Sequence, residues 1–192
     1  MHACPSTQRF VLACLRAWLA LLCCAFVATA GAESPIRSVD VTYDGDTYLV
    51  NARMFAPVSP SIAWDVLTDF AHMTAWVPNL RESSVVKPGD KKFTIAQSGT
   101  AKFGVLSFPY SSVREIELTP QTSILSTQVE GSMKRQQSLM VLSADGAGTR
   151  LQYRLELVPG GLAATVLSQD RIKRDLEEQF TAIVGEMVKR AK

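Results

Sequence analysis

The chain has 192 residues, 47% of them hydrophobic, and 20 Lys and Arg against 18 Asp and Glu give a formal charge of +2. That length fits one globular domain with a sizeable core once a leader is set aside, and the scattered, nearly balanced charge excludes the polybasic blocks that nucleic acid or an anionic membrane surface would require. All four cysteines, Cys4, Cys14, Cys23 and Cys24, fall in the first 32 residues, which leaves the remainder without a disulfide, a thiol nucleophile or a cysteine metal site.

Residues 1–32 read as an export signal. Arg9 and Arg16 form a positive leader, Ala17 to Ala28 an uncharged apolar run, and Ala28-Thr29-Ala30 and Ala30-Gly31-Ala32 offer small-x-small cleavage sites. The expected product starts after Ala30 or Ala32 and works in the periplasm or outside the cell. The competing reading is an uncleaved membrane anchor, because Phe10 to Ala32 is interrupted only by Arg16. A charge inside such a span is costly, and the run ends in small residues, which favours cleavage.

The rest, residues 33–192, reads as one domain. Ser38 to Ala56 alternates around Asp44-Gly45-Asp46 and predicts a β-hairpin. Ser59-Pro60 then predicts a helix start, a hydroxyl to accept an orphan amide followed by proline at the first helical position. Ile62, Val66, Leu67 and Phe70 recur at helical spacing. Pro78 prevents the helix from running on, yet Phe70, Met73, Trp76, Val77 and Leu80 keep the segment apolar.

From Arg81 the period changes to two. "SSVV", "KKFTIAQSG", "LSFPYSSVREIEL", "TSILSTQVE", "QQSLMVLSA" and "TRLQYRLELV" are separated by turn-forming stretches and predict an antiparallel meander. In the last strand Leu151, Tyr153, Leu155 and Leu157 share one face and Gln152, Arg154 and Glu156 the other, so one face is buried. After Pro159-Gly160-Gly161, a stripe of Leu162, Val166, Leu176, Phe180, Ile183, Val184 and Met187 predicts one long helix over residues 162–189.

"APVSPSIAWDVLTDFAHMTAWVPNLRESSVV" resembles the opening of the START-related polyketide cyclase and coenzyme Q-binding (SRPBCC) superfamily, with weaker echoes in "TRLQYRLELVP" and the terminal helix. The resemblance implies an α+β helix-grip fold: a curved antiparallel sheet wrapped around a long C-terminal helix, with two short helices after the first strand. It also implies an apolar cavity between sheet and helix. Phe70, Met73, Trp76 and Leu80 would then form its wall or lid, with plain core packing as the alternative for each.

Few reactive groups are available. Outside the leader the only histidine is His72, three residues after Asp69. The pair invites a catalytic reading, but no nucleophile accompanies it, and a helix terminus favours histidine at its carbonyl end. No metal spacing, phosphate loop or nucleophile elbow is present, and no cofactor is implied. Inward-facing polar residues say more. Arg114 shares strand parity with Phe108, Tyr110, Ile116 and Leu118, so its guanidinium faces the cavity unless a bulge at Pro109 shifts the register. On the long helix Lys173 lies about 20° from Leu162 around the axis, and Gln169 is similarly placed; snorkelling to solvent is the alternative.

The expected protein is an exported, monomeric carrier holding a largely apolar small molecule, of a lipid, isoprenoid or quinone-like class, with transient membrane contact compatible with that role. Phe70, Met73, Trp76, Leu80, Tyr110, Arg114, Gln169 and Lys173 are the candidate ligand-binding residues. The alternatives are a cyclase or aromatase acting in the same cavity, with Arg114 or Tyr110 promoting proton transfer, and a module whose groove takes a protein partner.

Overall fold

Asp44 and Thr47 close the first hairpin, and Gly45 between them adopts φ +62°, a turn conformation that side chains resist. The hairpin joins β1 (Ile36–Asp44) to β2 (Thr47–Ala56), which buries Tyr48, Val50, Ala52, Met54 and Ala56 while Asn51 and Arg53 stay exposed. The computed structural model describes residues 34–103 and 106–192. The leader read over residues 1–32 lies outside them, and no helix among the described residues is long and apolar enough to cross a membrane.

Helix α1 (Pro60–Thr68) starts as its sequence predicts: the Ser59 hydroxyl accepts from the Ile62 amide, with Pro60 at the first position. It buries Ala63, Val66 and Leu67, then gives way at Asp69 to a 3-10 helix (Phe70–Ala75). The meander follows as β3 (Leu80–Lys87), β4 (Lys92–Phe103), β5 (Leu106–Thr119), β6 (Ser123–Gly131), β7 (Met133–Asp145) and β8 (Gly148–Pro159). The eight strands form one curved antiparallel sheet in the order β1-β2-β8-β7-β6-β5-β4-β3. The chain therefore has the expected helix-grip architecture. Both short helical segments follow the second strand of the opening hairpin.

One expectation fails. The terminal helix is two pieces, α2 (Ala163–Val166) and α3 (Gln169–Arg190), separated by Leu167 in an extended conformation. Ser168 caps α3 by accepting from the Arg171 amide, and Asp170 places a carboxylate in its first turn, both favourable at a helix N-terminus. The Tyr48 hydroxyl donates to the Leu167 carbonyl at 3.0 Å and fixes the break to β2. Leu162 consequently stands 65% exposed and belongs to no buried stripe.

Helix α3 lies closest to β1, β2 and α1, while the 3-10 helix lies against β3. Ile172, Leu176, Phe180, Val184 and Met187 are buried under α3, each worth roughly 1.5–3 kcal/mol of removed apolar surface. Phe180 meets Tyr153 of β8 edge-on at 5.1 Å.

Candidate functional site

The inner face changes chemistry along the strands. Towards the α1 end it is apolar: Met54, Ile95, Ile116, Leu142 and Leu151 are all at most 4% exposed. One or two residues further along each strand it becomes polar, and the register aligns these positions into a belt. Ser83 of β3 pairs with Gln97 of β4, and Gln97 with Ser112 of β5. Arg114 pairs with Gln128 of β6, and Ser126 with Ser138 of β7.

Arg114 is held inward by an unbroken β4–β5 ladder from Lys92↔Glu117 to Phe103↔Leu106, which passes Pro109 without a shift. The irregularity lies on the other side, between Val113 and Arg114 against β6, where Val129 is looped out and 62% exposed. Such a bulge adds one residue to one strand and leaves both flanking faces unchanged. The expected parity of Phe108, Tyr110, Arg114, Ile116 and Leu118 therefore holds.

The guanidinium is poorly compensated. Arg114 Nη2 donates to Gln97 Oε1, while Gln97 Nε2 donates to Ser83 Oγ at 2.9 Å and to Met73 Sδ at 3.5 Å. Ser83 in turn donates to the Phe70 carbonyl. No carboxylate among the described residues pairs with Arg114, and its Nε is buried without a partner. Burial pushes its pKa down, opposed by the nearby Tyr153 and Tyr110 phenols. Burial likewise raises both phenols above 10, against the guanidinium charge and, for Tyr153, a hydrogen bond with Ser138. Yet Arg114, Tyr110 and Tyr153 each keep part of their surface accessible. These groups are desolvated but not sealed.

Tyr110 can lie across β4 only because its cross-strand partner is Gly99. A Cβ there would stand 2.5 Å from the Tyr110 hydroxyl and 2.2 Å from the Asn79 carbonyl.

The predicted site residues separate into three groups. Phe70 is core, edge-on to Phe93 at 5.5 Å, but its carbonyl accepts from Ser83, Met73 and Arg114 meet at Gln97, and Tyr110 lies within electrostatic reach of Arg114. Trp76 and Leu80 are half-buried to one side, and the Arg190 guanidinium lies 4.7 Å above the Trp76 ring. Gln169 and Lys173 are exposed in the first turns of α3 and do not reach the belt. The angle that placed them inward was measured from Leu162, which precedes the helix break. His72 is exposed at the surface, its Nδ1 2.6 Å from Asp69 Oδ1. Ser83, Gln97, Ser112, Ser126, Gln128, Ser138 and Tyr153 complete the cluster and were not singled out by sequence.

A hollow on the outer face of the sheet is lined by Leu49, Asn51, Leu125, Leu139, Arg154 and Glu156, with the buried Val50, Ser138 and Leu155 beneath them. The interior cluster, with its desolvated charge, is the chemically distinctive place in the fold.

Residues 48–188 match the protein family described as polyketide cyclase / dehydrase and lipid transport. The chain belongs to this family. Its fold is similar to that of a protein from Thermus thermophilus (TM-score 0.66, 15% identity, 75% of this chain and 99% of that one). It is also similar to an aromatase/cyclase from Streptomyces (0.61, 16%, 76% and 96%). A STAR-related lipid transfer protein from Xanthomonas axonopodis has the same fold (0.61, 14%, 78% and 98%). At these identities the likeness concerns the fold alone, and one fold hosts different functions. No curated protein sequence matches the chain.

Proposed function

We propose that the protein is a carrier that holds a largely apolar small molecule, of a lipid, isoprenoid or quinone-like class, between the sheet and the C-terminal helix, with Arg114 receiving its polar head. The observation that carries this reading is the buried Arg114 guanidinium without a carboxylate partner among the described residues. A desolvated, unpaired charge opposes folding. Placed in an accessible interior, it recognises a carboxylate, phosphate or carbonyl group. The apolar surface beside it supplies affinity by burial, at roughly 25 cal/mol per Å² before ordering costs.

The family description and the lipid-transfer and aromatase/cyclase neighbours support a ligand-binding role. Binding is favoured over catalysis because the belt offers no general base for neutral pH: both phenols are raised above 10 and stay protonated. A cyclase or aromatase reading draws on the same pair of phenols beside a fixed cation, which could orient a reactive chain and polarise its carbonyls. Export, with cleavage after Ala30 or Ala32, a monomeric state and transient membrane contact for loading belong to the same proposal.

Native mass spectrometry of protein isolated from the exported fraction tests it. A bound small molecule is expected on the wild type and its loss on Arg114→Met, with an N-terminus at Gly31 or Glu33. A wild-type protein that carries nothing and binds no amphipathic probe would remove the carrier reading, and turnover of a bound polyketide would turn it into the enzyme.

A further inference from the structure

The belt has an unmet hydrogen-bonding pattern of a definite kind. Arg114 Nε lacks an acceptor, Gln128 Oε1 lacks a donor, and the Ser112 and Ser126 hydroxyls lack either. The Gln128 amide is oriented by its nitrogen, which donates to the Met133 carbonyl at 2.7 Å, so the free atom is the oxygen. Arg114 and Gln128 are direct cross-strand partners, which places their Cβ atoms about 4.5–5.5 Å apart. Ser112 and Ser126 face the same way and flank that pair on opposite sides, Ser112 opposite Gly131 and Ser126 opposite Ile116.

A ligand that answers this pattern brings acceptors to the guanidinium and a donor to the amide oxygen. A carboxylate or quinone carbonyl alone offers only acceptors. It satisfies Arg114, and leaves Gln128 Oε1 a buried acceptor without a donor, which is costly. A hydroxyl group near the acid supplies that donor and accepts from serine in return. Gln128 Oε1 lies towards Gly131 and Ser112, 3.2 Å from where a Cβ on Gly131 would stand. Resting on the carrier reading above, we propose that the ligand is a hydroxylated carboxylic acid with an apolar tail, its carboxylate at Arg114 and its hydroxyl between Gln128 and Ser112.

Sites built to hydrogen-bond a hydroxyl discriminate against analogues without one, because the protein's own polar group is left unpaired. The test is calorimetric titration of the protein with 3-hydroxydecanoate and decanoate, which share tail length and charge. The hydroxy acid is expected to bind roughly tenfold more tightly, the scale of one hydrogen bond. Gln128→Leu keeps much of the volume and removes the acceptor, so the preference is expected to vanish through weaker binding of the hydroxy acid. Ser112→Ala, a smaller change, keeps the measurement possible where Gln128→Leu compromises folding, and is expected to shrink the preference severalfold. Equal affinity for the two acids in the wild type, as when ordered water satisfies the belt, overturns the hydroxyl assignment and leaves the carrier reading standing. A preference that survives both substitutions overturns it too. Failure of both acids to bind removes the carrier reading itself, and this inference with it.

Discussion

Arg114 and Arg190 stand in opposite environments. Arg190, near the end of α3 and 31% exposed, donates to Glu186 Oε1 at 2.9 Å and to Asp69 Oδ2 at 2.8 Å, and its guanidinium lies over Trp76. Arg114 is desolvated in the interior and has one amide oxygen. If stability alone placed charges, the buried guanidinium would have the carboxylates, since an unpaired buried charge costs far more than an exposed one. The surface cluster joins elements, tying the 3-10 helix to α3. The interior cluster leaves its bonding capacity available, as a binding site requires.

The largest effect expected lies next to Arg114 and separates packing from recognition. Ile116, 1% exposed, is the next inward residue on β5. Ile116→Ala should destabilise the fold by about 2–5 kcal/mol through lost burial and the cavity left behind. Urea denaturation measures this, and any remaining bound ligand should keep its head-group preference. A loss below about 1 kcal/mol, well under the range for such a truncation, would show that the apolar half of the face is not the stabilising one.

Arg114→Met should behave in the opposite way. Affinity for decanoate is expected to fall by about 1.5–3 kcal/mol, the scale of a hydrogen bond to a charged group, while the Tm without ligand is unchanged or raised, because an imperfectly paired buried charge is gone. An apolar probe of the same length should bind as well or better. A Tm that collapses with unchanged affinity would make Arg114 structural. For Arg190→Met the expected loss is about 1 kcal/mol of stability, combining exposed ion pairs and a cation–π contact. It should shrink in high salt, and decanoate affinity should hardly change.

Most of the fold was legible because its signals are local. Asp44-Gly45-Asp46, Ser59-Pro60 and the alternation in β8 each specify their own element. Arg114 was legible for the same reason, since parity within one strand gives its face. The belt was not, because it exists only across strands. Gln97 shares parity with Ile95, Ser126 with Ile124 and Ser138 with Met140, and each looks like an isolated lapse in an apolar face until register lines them up. The helix break was misread because Leu162 and Val166 fit the period of the residues beyond it, although Ser168 and Asp170 form a start signal that should have outweighed them.

The smallest effect expected is a pH dependence confined to one of the two clusters. Burial pushes the Asp69 carboxyl up, but hydrogen bonds and charge from His72 and Arg190 outweigh it and hold the group below 3.8. The Glu186 carboxyl is lowered from 4.5, first by its hydrogen bond with Arg190, against a burial penalty, with help from Lys189. A carboxyl whose folded pKa is depressed contributes stability in full above its unfolded pKa and loses it as the pH falls through the folded value. The tie between the 3-10 helix and α3 should therefore hold at neutral pH and weaken below about pH 4, where carboxyl groups ordinarily begin to take up protons. Trp76, beneath Arg190, reports the change: its fluorescence should shift on acidification, and the shift should disappear in Arg190→Met and in Trp76→Phe. The interior cluster has no carboxylate pair to protonate, and its phenols are raised above 10, so decanoate affinity should stay flat from about pH 6 to 9, the range in which no group of the belt titrates. An acid shift of equal size in Arg190→Met would place its origin elsewhere. A sloping affinity in the neutral range would mean that a titrating group faces the ligand, and that the two arginines differ less than their surroundings indicate.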